Sequence, residues 1–423
     1  MAILGSNAKT VPLGELCLEE PCYGTSATAV DRTDESQPKY IRITDFDDYG
    51  IEDNHQYMTA QSYSAKHMLA PNDILFARTG GTVGKTYFYD GKIGDAIFAG
   101  YCIRFRLDPQ KVIPKFVYWY TKTETYQNWV KGIQRPAGQP NINKEEFKSF
   151  EIVLPDMEVQ KKLVAYMDEA SLVRLNKNSQ AELLLSGMDD YLFDALQLER
   201  VNYRDRLCCA ITLSNLIDDG TFSAEYYHPE RMAALQALKE SSTIKVCKLS
   251  SIVRFCRNLV SSANSSDYLG LAGVESQTGE LTGVQEEVSG QAFVYEKSDI
   301  LYGRLRPYLN KVLLAEKSGI CSTEFHVMRV IDTNVVLPEY VAAILRSNLI
   351  LCQTRHMMTG NTHPRISNDD VKNLYIPIPS ISTQTLIVEE LHQRRIAART
   401  RKIEAAKEWQ VAQARFEQEL MKE

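Results

Sequence analysis

Short apolar runs stopped by glycine, proline or aspartate fill the first third of the chain. Tyr40-Ile-Arg-Ile-Thr44, Asp73-Ile-Leu-Phe-Ala77, Lys85-Thr-Tyr-Phe-Tyr89 and Tyr101-Cys-Ile-Arg-Phe-Arg-Leu107 are rich in β-branched and aromatic side chains and predict strands. Pro114 opens a helix expected over Phe116 to Lys131, with Phe116, Tyr120 and Tyr126 toward the core, and Phe150-Glu-Ile-Val-Leu-Pro155 predicts one more strand, ended by proline. Then the pattern changes. From Asp156 to Leu198 there is no proline and a single glycine, Gly187. Val159, Leu163, Tyr166, Ala170 and Val173 follow one another at alternating spacings of four and three, and Leu185, Met188, Leu192 and Ala195 resume in a shifted register. This is the seam of a coiled coil with an interruption around Asn176 to Gln180, on a helix that would reach roughly 65 Å.

The whole pattern recurs about 225 residues later. Asp73-Ile-Leu-Phe-Ala-Arg78 corresponds to Asp299-Ile-Leu-Tyr-Gly-Arg304. Pro140, Ile142, Phe147, Lys148, Phe150, Ile152 and Pro155 correspond to Pro364, Ile366, Val371, Lys372, Leu374, Ile376 and Pro379, and Gln160 to Gln384. Leu13-Gly-Glu-Leu16 pairs with Leu249-Ser-Ser-Ile252 at a slightly larger offset, as small loop deletions would produce. Ile381 to Met421 again lack proline and glycine, with Val388, Leu391, Ile396 and Ile403 among the apolar positions. So long a period means a duplicated domain plus helix and not a solenoid. The expected fold is mixed α/β: a domain over residues 1–155, a helix over 156–198, a connector over 199–241 containing a short helix from Arg231 to Lys239, a second domain over 242–379 and a second helix over 380–423. Neither helix can bury its stripe alone, so the two are expected to pair as an antiparallel coiled coil with pseudo-twofold symmetry. The competing expectation is that each folds back on its neighbouring domain.

Composition narrows the function classes. The chain has 423 residues, 44% hydrophobic and 24% charged, with a formal charge of −6. No apolar run is long enough to span a bilayer and no basic-then-apolar leader follows Met1, which predicts a cytoplasmic protein without membrane association. Nine cysteines without a Cys-x-x-Cys pair support neither a disulfide framework nor a zinc site, and most are expected to be buried apolar side chains. The negative sum hides a basic stretch from Arg104 to Lys148, including Arg104, Arg106, Lys111, Lys115 and Lys122 and interleaved with Tyr118, Trp119, Tyr120, Tyr126 and Trp129; the second copy has Arg329, Arg346, Arg355, Arg365 and Lys372. Such a face suits nucleic acid, although a moderately basic surface is more often simply solvated, and Tyr118 and Trp119 are most simply core.

Catalytic motifs fail on spacing. Thr82-Val-Gly-Lys85-Thr86 lacks the glycine spacing of a phosphate loop, precedes a strand and not a helix, and is replaced in the repeat by Arg306-Pro-Tyr-Leu-Asn-Lys311. Pro155-Asp156 with Glu158 and Lys161 begins a helix instead of flanking strands, and the histidines and serines form no nucleophile-base set. The expectation is a chain without its own chemistry, with no catalytic or metal-ligating residues. An enzyme using the Gly84-Lys85 loop is the rival from another class; it would bind nucleotide and lose it on Lys85→Ala.

The order Tyr-Ile-Arg-Ile-Thr-Asp (40–45), Asp-Ile-Leu-Phe-Ala-Arg-Thr-Gly (73–80), Val-Gly-Lys (83–85), Gly-Gln-Pro-Asn-Ile-Asn (138–143), Ile-Val-Leu-Pro (152–155) and a glutamine heading a long helix resembles the specificity subunit of type I restriction-modification systems, or the similar subunit of type IIB systems. The likeness spans nearly the whole chain in two passes. The second is looser, with Tyr268-Leu-Gly-Leu-Ala in place of the first run and Asn310-Lys311 in place of Gly84-Lys85. The resemblance implies two target-recognition domains separated by two long helices and a split double-stranded DNA target with a fixed spacer. It also implies two DNA methyltransferase subunits and a restriction and translocase subunit as partners, with S-adenosylmethionine, ATP and magnesium bound there and no cofactor in this chain. Base reading needs Arg, Lys, Asn, Gln, Ser or Thr on loops held by a rigid scaffold. The candidates are Arg42, Thr44, Arg78, Thr79, Lys85, Arg135, Gln139, Asn141 and Asn143 in the first copy, and Arg304, Arg306, Tyr308, Asn310, Lys311, Asn361, His363, Arg365 and Asn368 in the second. A protein-protein scaffold or regulatory homologue that keeps the fold without sequence-specific DNA binding is the alternative.

Overall fold

In a computed structural model, Asp73–Ala77 and Ile300–Gly303 are inner strands of two separate four-stranded antiparallel sheets with the same order. The structure describes residues 9–47, 50, 55–133, 140–200, 210–242, 244–261, 268–286, 290–355, 357–358 and 362–421. The first sheet runs Cys22–Tyr23, Cys102–Phe105, Asp73–Ala77, Thr86–Tyr89; the second runs Val253–Cys256, Phe325–Val330, Ile300–Gly303, Val312–Leu314. Alternation along the inner strands explains why the runs are apolar throughout. Ile74 and Phe76 face the helices while Leu75 and Ala77 face a second core, and Ile300 and Tyr302 divide from Leu301 in the same way. Both faces are covered.

The duplication extends to single hydrogen bonds. Leu13 N donates to Phe150 O and Leu249 N to Leu374 O, each at 2.8 Å, closing the strand that precedes each long helix onto the start of its copy. A parallel pair, Lys39–Ile41 with Ala96–Phe98, matches Tyr268–Leu269 with Gly319–Ser322, so the looser run of the second copy occupies the expected place. Asp73 and Asp299 are fully buried; each accepts a bidentate arginine, Arg106 at 2.8 and 2.8 Å and Arg329 at 2.6 and 2.8 Å. Gln160 and Gln384, buried at the helix heads, accept from Ile113 N and Leu337 N at 2.9 Å and donate to Pro155 O and Pro379 O.

Two compact units divide the chain, residues 1–179 with 402–423 and residues 180–401, and both long helices, Met157–Ala195 and Ile381–Met421, pass from one unit into the other. Within the first unit, Tyr166 meets Arg415, Arg174 meets Trp409, and Lys177 bonds Glu408 and Glu404, so the segments run antiparallel. In the second unit, Arg394 donates to Gly187 O at 2.8 Å and stacks on Tyr191; a Cβ on Gly187 would lie 3.3 Å from that guanidinium. Each helix also packs on the domain that precedes it, through Leu163 and Met167 in the first copy and Ile387 and Leu391 in the second, while its far end joins the core of the other copy, as Leu192 beside Tyr340 and Phe416 on Phe116 show. The expected pairing of the two helices is present within each unit, and packing on the preceding domain accompanies it.

Four details differ from the sequence reading. The expected helix over Phe116 to Lys131 is two helices, Pro114–Tyr120 and Glu124–Ile133, because the Thr121 and Thr123 hydroxyls turn back onto Tyr118 O and Tyr120 O at 2.7 Å. The seam has no interruption. Val173 is exposed and Arg174 is buried in its place with its guanidinium on Trp409; Ala181 then continues the line. On the second helix Ile396 and Ile403 point outward and Ala398, Ala405 and Ala412 are buried instead. The connector holds Leu213–Asp219, an unexpected helix, as well as Pro229–Glu240.

Candidate nucleic-acid interface

In each lobe the loop after the inner strand is clamped to a distant loop by two backbone bonds. Ile142 N donates to Arg78 O at 2.8 Å and Gly80 N to Pro140 O at 3.2 Å; Ile366 N donates to Arg304 O at 3.1 Å and Arg306 N to Pro364 O at 2.7 Å. Thr79 thereby bridges Asn141, and Leu305 bridges Arg365. The short helix behind the clamp is held by a capping box, Asn143 with Glu146 and Ser367 with Asp370. Two loops far apart in sequence thus form one rim, built identically in both lobes.

The candidates divide once placed on this rim. Arg78, Thr79 and Asn141 lie on it in the first lobe, with Asn141 exposed; Arg304, Arg306, Arg365 and Asn368 lie on it in the second, and the exposed Tyr308 is two residues from Arg306. His363, also exposed, precedes Pro364 and has its carbonyl 3.3 Å from Arg365. Asn143 serves as a helix cap, accepting from Glu146 N at 2.9 Å. Asn310 is a correction. Its amide is buried and donates to Gln277 and to Arg346 O, which turns it away from any base edge. Lys311 spends its ammonium on Leu271 O at 2.7 Å, while Lys85 sits half-buried at the base of its loop with its carbonyl bonded to Ala77 N. Arg42 forks onto Asp45 beside Thr44, on a different loop from the clamp. Arg135, Gln139 and Asn361 lie outside the described residues.

Part of the expected basic face is internal. Arg104 is buried and donates to Lys66 O, Met68 O and Glu19; Arg106 and Arg329 serve Asp73 and Asp299, which hold both guanidiniums above the ordinary arginine range; Lys122 is buried and donates to Thr86 O. Arg346 is enclosed and donates to Thr278 O and Val312 O. These arginines and Lys122 are bound to buried carboxylates and carbonyls. Gly84 is equally structural: its φ is +85° and a Cβ would come within 2.6 Å of Val130, so packing and not phosphate binding demands glycine there.

Sequence reasoning missed four rim residues. Tyr23 lies under the Arg78 guanidinium at 4.8 Å, and Tyr101, 62% exposed, accepts from Arg78 N. At the matching position Glu324 accepts from Arg304 N, and its carboxylate bonds Arg365 at 2.8 Å, which holds Glu324 below its usual range. The fourth, Arg257, replaces Tyr23. Only strand pairing, which brings residues 23, 78, 101 and 141 together, could have revealed them.

Among the described residues no cluster of three or more histidine, cysteine or acidic side chains could hold a metal ion, and no helix is long and apolar enough to cross a membrane. The type I restriction enzyme EcoDI specificity subunit of Escherichia coli is 26% identical over 125 residues, 28% of this chain and 27% of that protein, so the match spans little more than a quarter of the curated relative. A solved chain described under the structural basis of complex assembly and conformational transition of the type I R-M system aligns over 99% of both chains, with a TM-score of 0.53 at 14% identity. The type I restriction-modification S subunit from M. genitalium aligns over 99% of this chain and 97% of its own, with a TM-score of 0.51 at 15% identity. These neighbours share the fold of tandem sheet-rich domains and long helices. The family model for the type I restriction modification DNA specificity domain matches residues 6–185 and 271–407, well over half of the chain, and the protein belongs to that family.

Proposed function

We propose that the chain is a non-catalytic recognition subunit that binds a bipartite duplex DNA target, one half at each clamped rim, and directs two methyltransferase subunits and a restriction subunit to it. The repeated clamp is the observation that carries this reading. It offers the same rigid platform twice while the side chains on it differ: Tyr101 and Asn141 in one lobe, Glu324 and Arg365 in the other. Identical scaffolds with different polar edges suit two unlike half-sites read in the major groove. S-adenosylmethionine, ATP and magnesium belong to the partners. Leu172, Leu175, Leu183, Leu386 and Ile396 lie exposed on the long helices, outside the seam, and suit capture of partner helices.

Sequencing modified bases in host DNA with the chain present or deleted tests the proposal; a motif should appear only when the chain is present. One heptad added to both helices lengthens each by about 10 Å, roughly three base pairs of B-DNA, and should lengthen the unread spacer while preserving both half-motifs. Duplex binding by the assembled complex should also weaken steeply with salt. A salt-independent, motif-free chain that still captures the methyltransferase would instead be a scaffold.

A further inference from the structure

In the second unit a cavity of about 370 Å³ opens beside the rim, between Arg257, Arg304, His326, Asn368 and the rings of Phe255 and Phe293, with no carboxylate among the described residues that line it. Strand register identifies its counterpart in the first unit. Leu75 pairs with Arg104 and Leu301 with Val327; these pair in turn with Cys22 and Cys256, so Tyr23 stands where Arg257 stands. The clamps match Arg78 to Arg304, and the capping boxes match Lys144 to Asn368. In the first unit the Tyr23 ring lies 4.8 Å from the Arg78 guanidinium, and its hydroxyl accepts from Lys144 N at 3.2 Å. Tyr23 therefore spans the two residues whose equivalents wall the cavity. With arginine at 257, the second unit has lost that ring.

The walls describe what would replace it. The Nε of Arg304 and the Nε2 of His326 are buried, with no hydrogen-bond partner among the described residues. Burial, followed by the charges of Arg304 and Arg257, pushes His326 down to about 4 against opposing hydrogen bonds with the Ile366 backbone and the Asn368 side chain, so its ring is neutral at physiological pH. A guanidinium plane and aromatic edges favour a flat π system, and Arg257, which has no ion-pair partner among the described residues, favours an anion attached to it.

We propose that this cavity binds a nucleobase, stacked on Arg304 as Tyr23 is stacked on Arg78, with the nucleotide phosphate at Arg257. That the base comes from the DNA target rests on the function proposed above; an unstacked base at the second half-site would enter it.

The test titrates the full chain with each of the four deoxynucleoside monophosphates by calorimetry. Wild type should show one saturable site. Arg257→Tyr, which restores the ring of the first unit, should weaken it at least tenfold, with Arg257→Leu as a second variant that removes the phosphate contact without adding bulk. Absence of binding to wild type, or binding unchanged in both Arg257 variants, overturns the site. A second arm uses the chain assembled with its methyltransferase on duplex carrying 2-aminopurine at successive positions of the second half-site. A fluorescence rise away from the methylated base, abolished in Arg257→Tyr, identifies DNA as the source; nucleotide binding without any such rise assigns the site to free nucleotide. Failure of the complex to bind duplex counts against the recognition function and leaves the titration standing.

Discussion

Removing the Asp73 carboxylate should destabilise the first unit by about 3–4 kcal/mol. Asp73 is fully buried, and Arg106 grips it through two bonds of 2.8 Å. Breaking a buried ion pair from one side costs about 3–5 kcal/mol, because the surviving charge stays desolvated. Arg106 is 28% exposed and keeps Glu19 at 3.1 Å, which places Asp73→Ala at the lower end. The same carboxylate accepts from Ala70 N at 2.8 Å, and orphaning that amide adds about 1 kcal/mol. Arg106→Met should cost more than Asp73→Ala, since it leaves the fully enclosed member unpaired with Arg104 no closer than 3.9 Å. The double variant should lose less than the sum of the two. The assay is urea unfolding read by tryptophan fluorescence: Trp119, Trp129 and Trp409 all belong to the first unit and pack in or against its core. With a slope of about 2 kcal/mol per molar, Asp73→Ala should move the midpoint down by roughly 1.5–2 M. A loss below 1 kcal/mol, or strict additivity in the double variant, would refute the claim that these charges are held as one desolvated pair.

Two further outcomes follow from buried groups. His326 is neutral in the fold and protonates more readily once unfolded, so its contribution is fully present above an unfolded value near 6.5 and is lost as pH falls from there to about 4, about 3 kcal/mol over the whole window. Denaturation at pH 6.5 and 5 should therefore show a slope that His326→Phe flattens by about 2 kcal/mol, and an unchanged slope would disprove the assignment. Gln160→Leu keeps the volume but orphans Ile113 N and Pro155 O, at a cost of about 2–4 kcal/mol; hydrogen exchange should rise first at the start of the helix Met157–Ala195, and uniform exchange across the unit would show that the glutamine is no anchor.

Periodic features were legible in the chain. The strand at Asp73–Ala77 falls on its expected residues, the glutamines at 160 and 384 keep matching roles, and both long helices exist, because each rests on a local pattern repeated twice. Arginine behaved differently. At Arg106 and Arg329 a basic residue in a strand was read as surface charge, and its carboxylate partner lies about 30 residues away in sequence. The seam position at Arg174 was passed over for Val173 because polarity alone cannot show that a long aliphatic stem and a guanidinium will cover a tryptophan on another helix.

The rim residues were illegible for a related reason. Backbone bonds fix the clamp, and backbone bonds place no demand on which side chains project beside it, so Tyr101 and Glu324, or Tyr23 and Arg257, share a position without sharing a character. Duplication thus keeps the residues that fold each lobe and leaves the side chains on the rim free to differ. The residues that align most easily between the copies, Asp73 with Asp299, Gln160 with Gln384 and Pro140 with Pro364, hold the scaffold. Positions that fall on one another only through strand register carry the difference between the lobes, and mutational effort aimed at recognition belongs there.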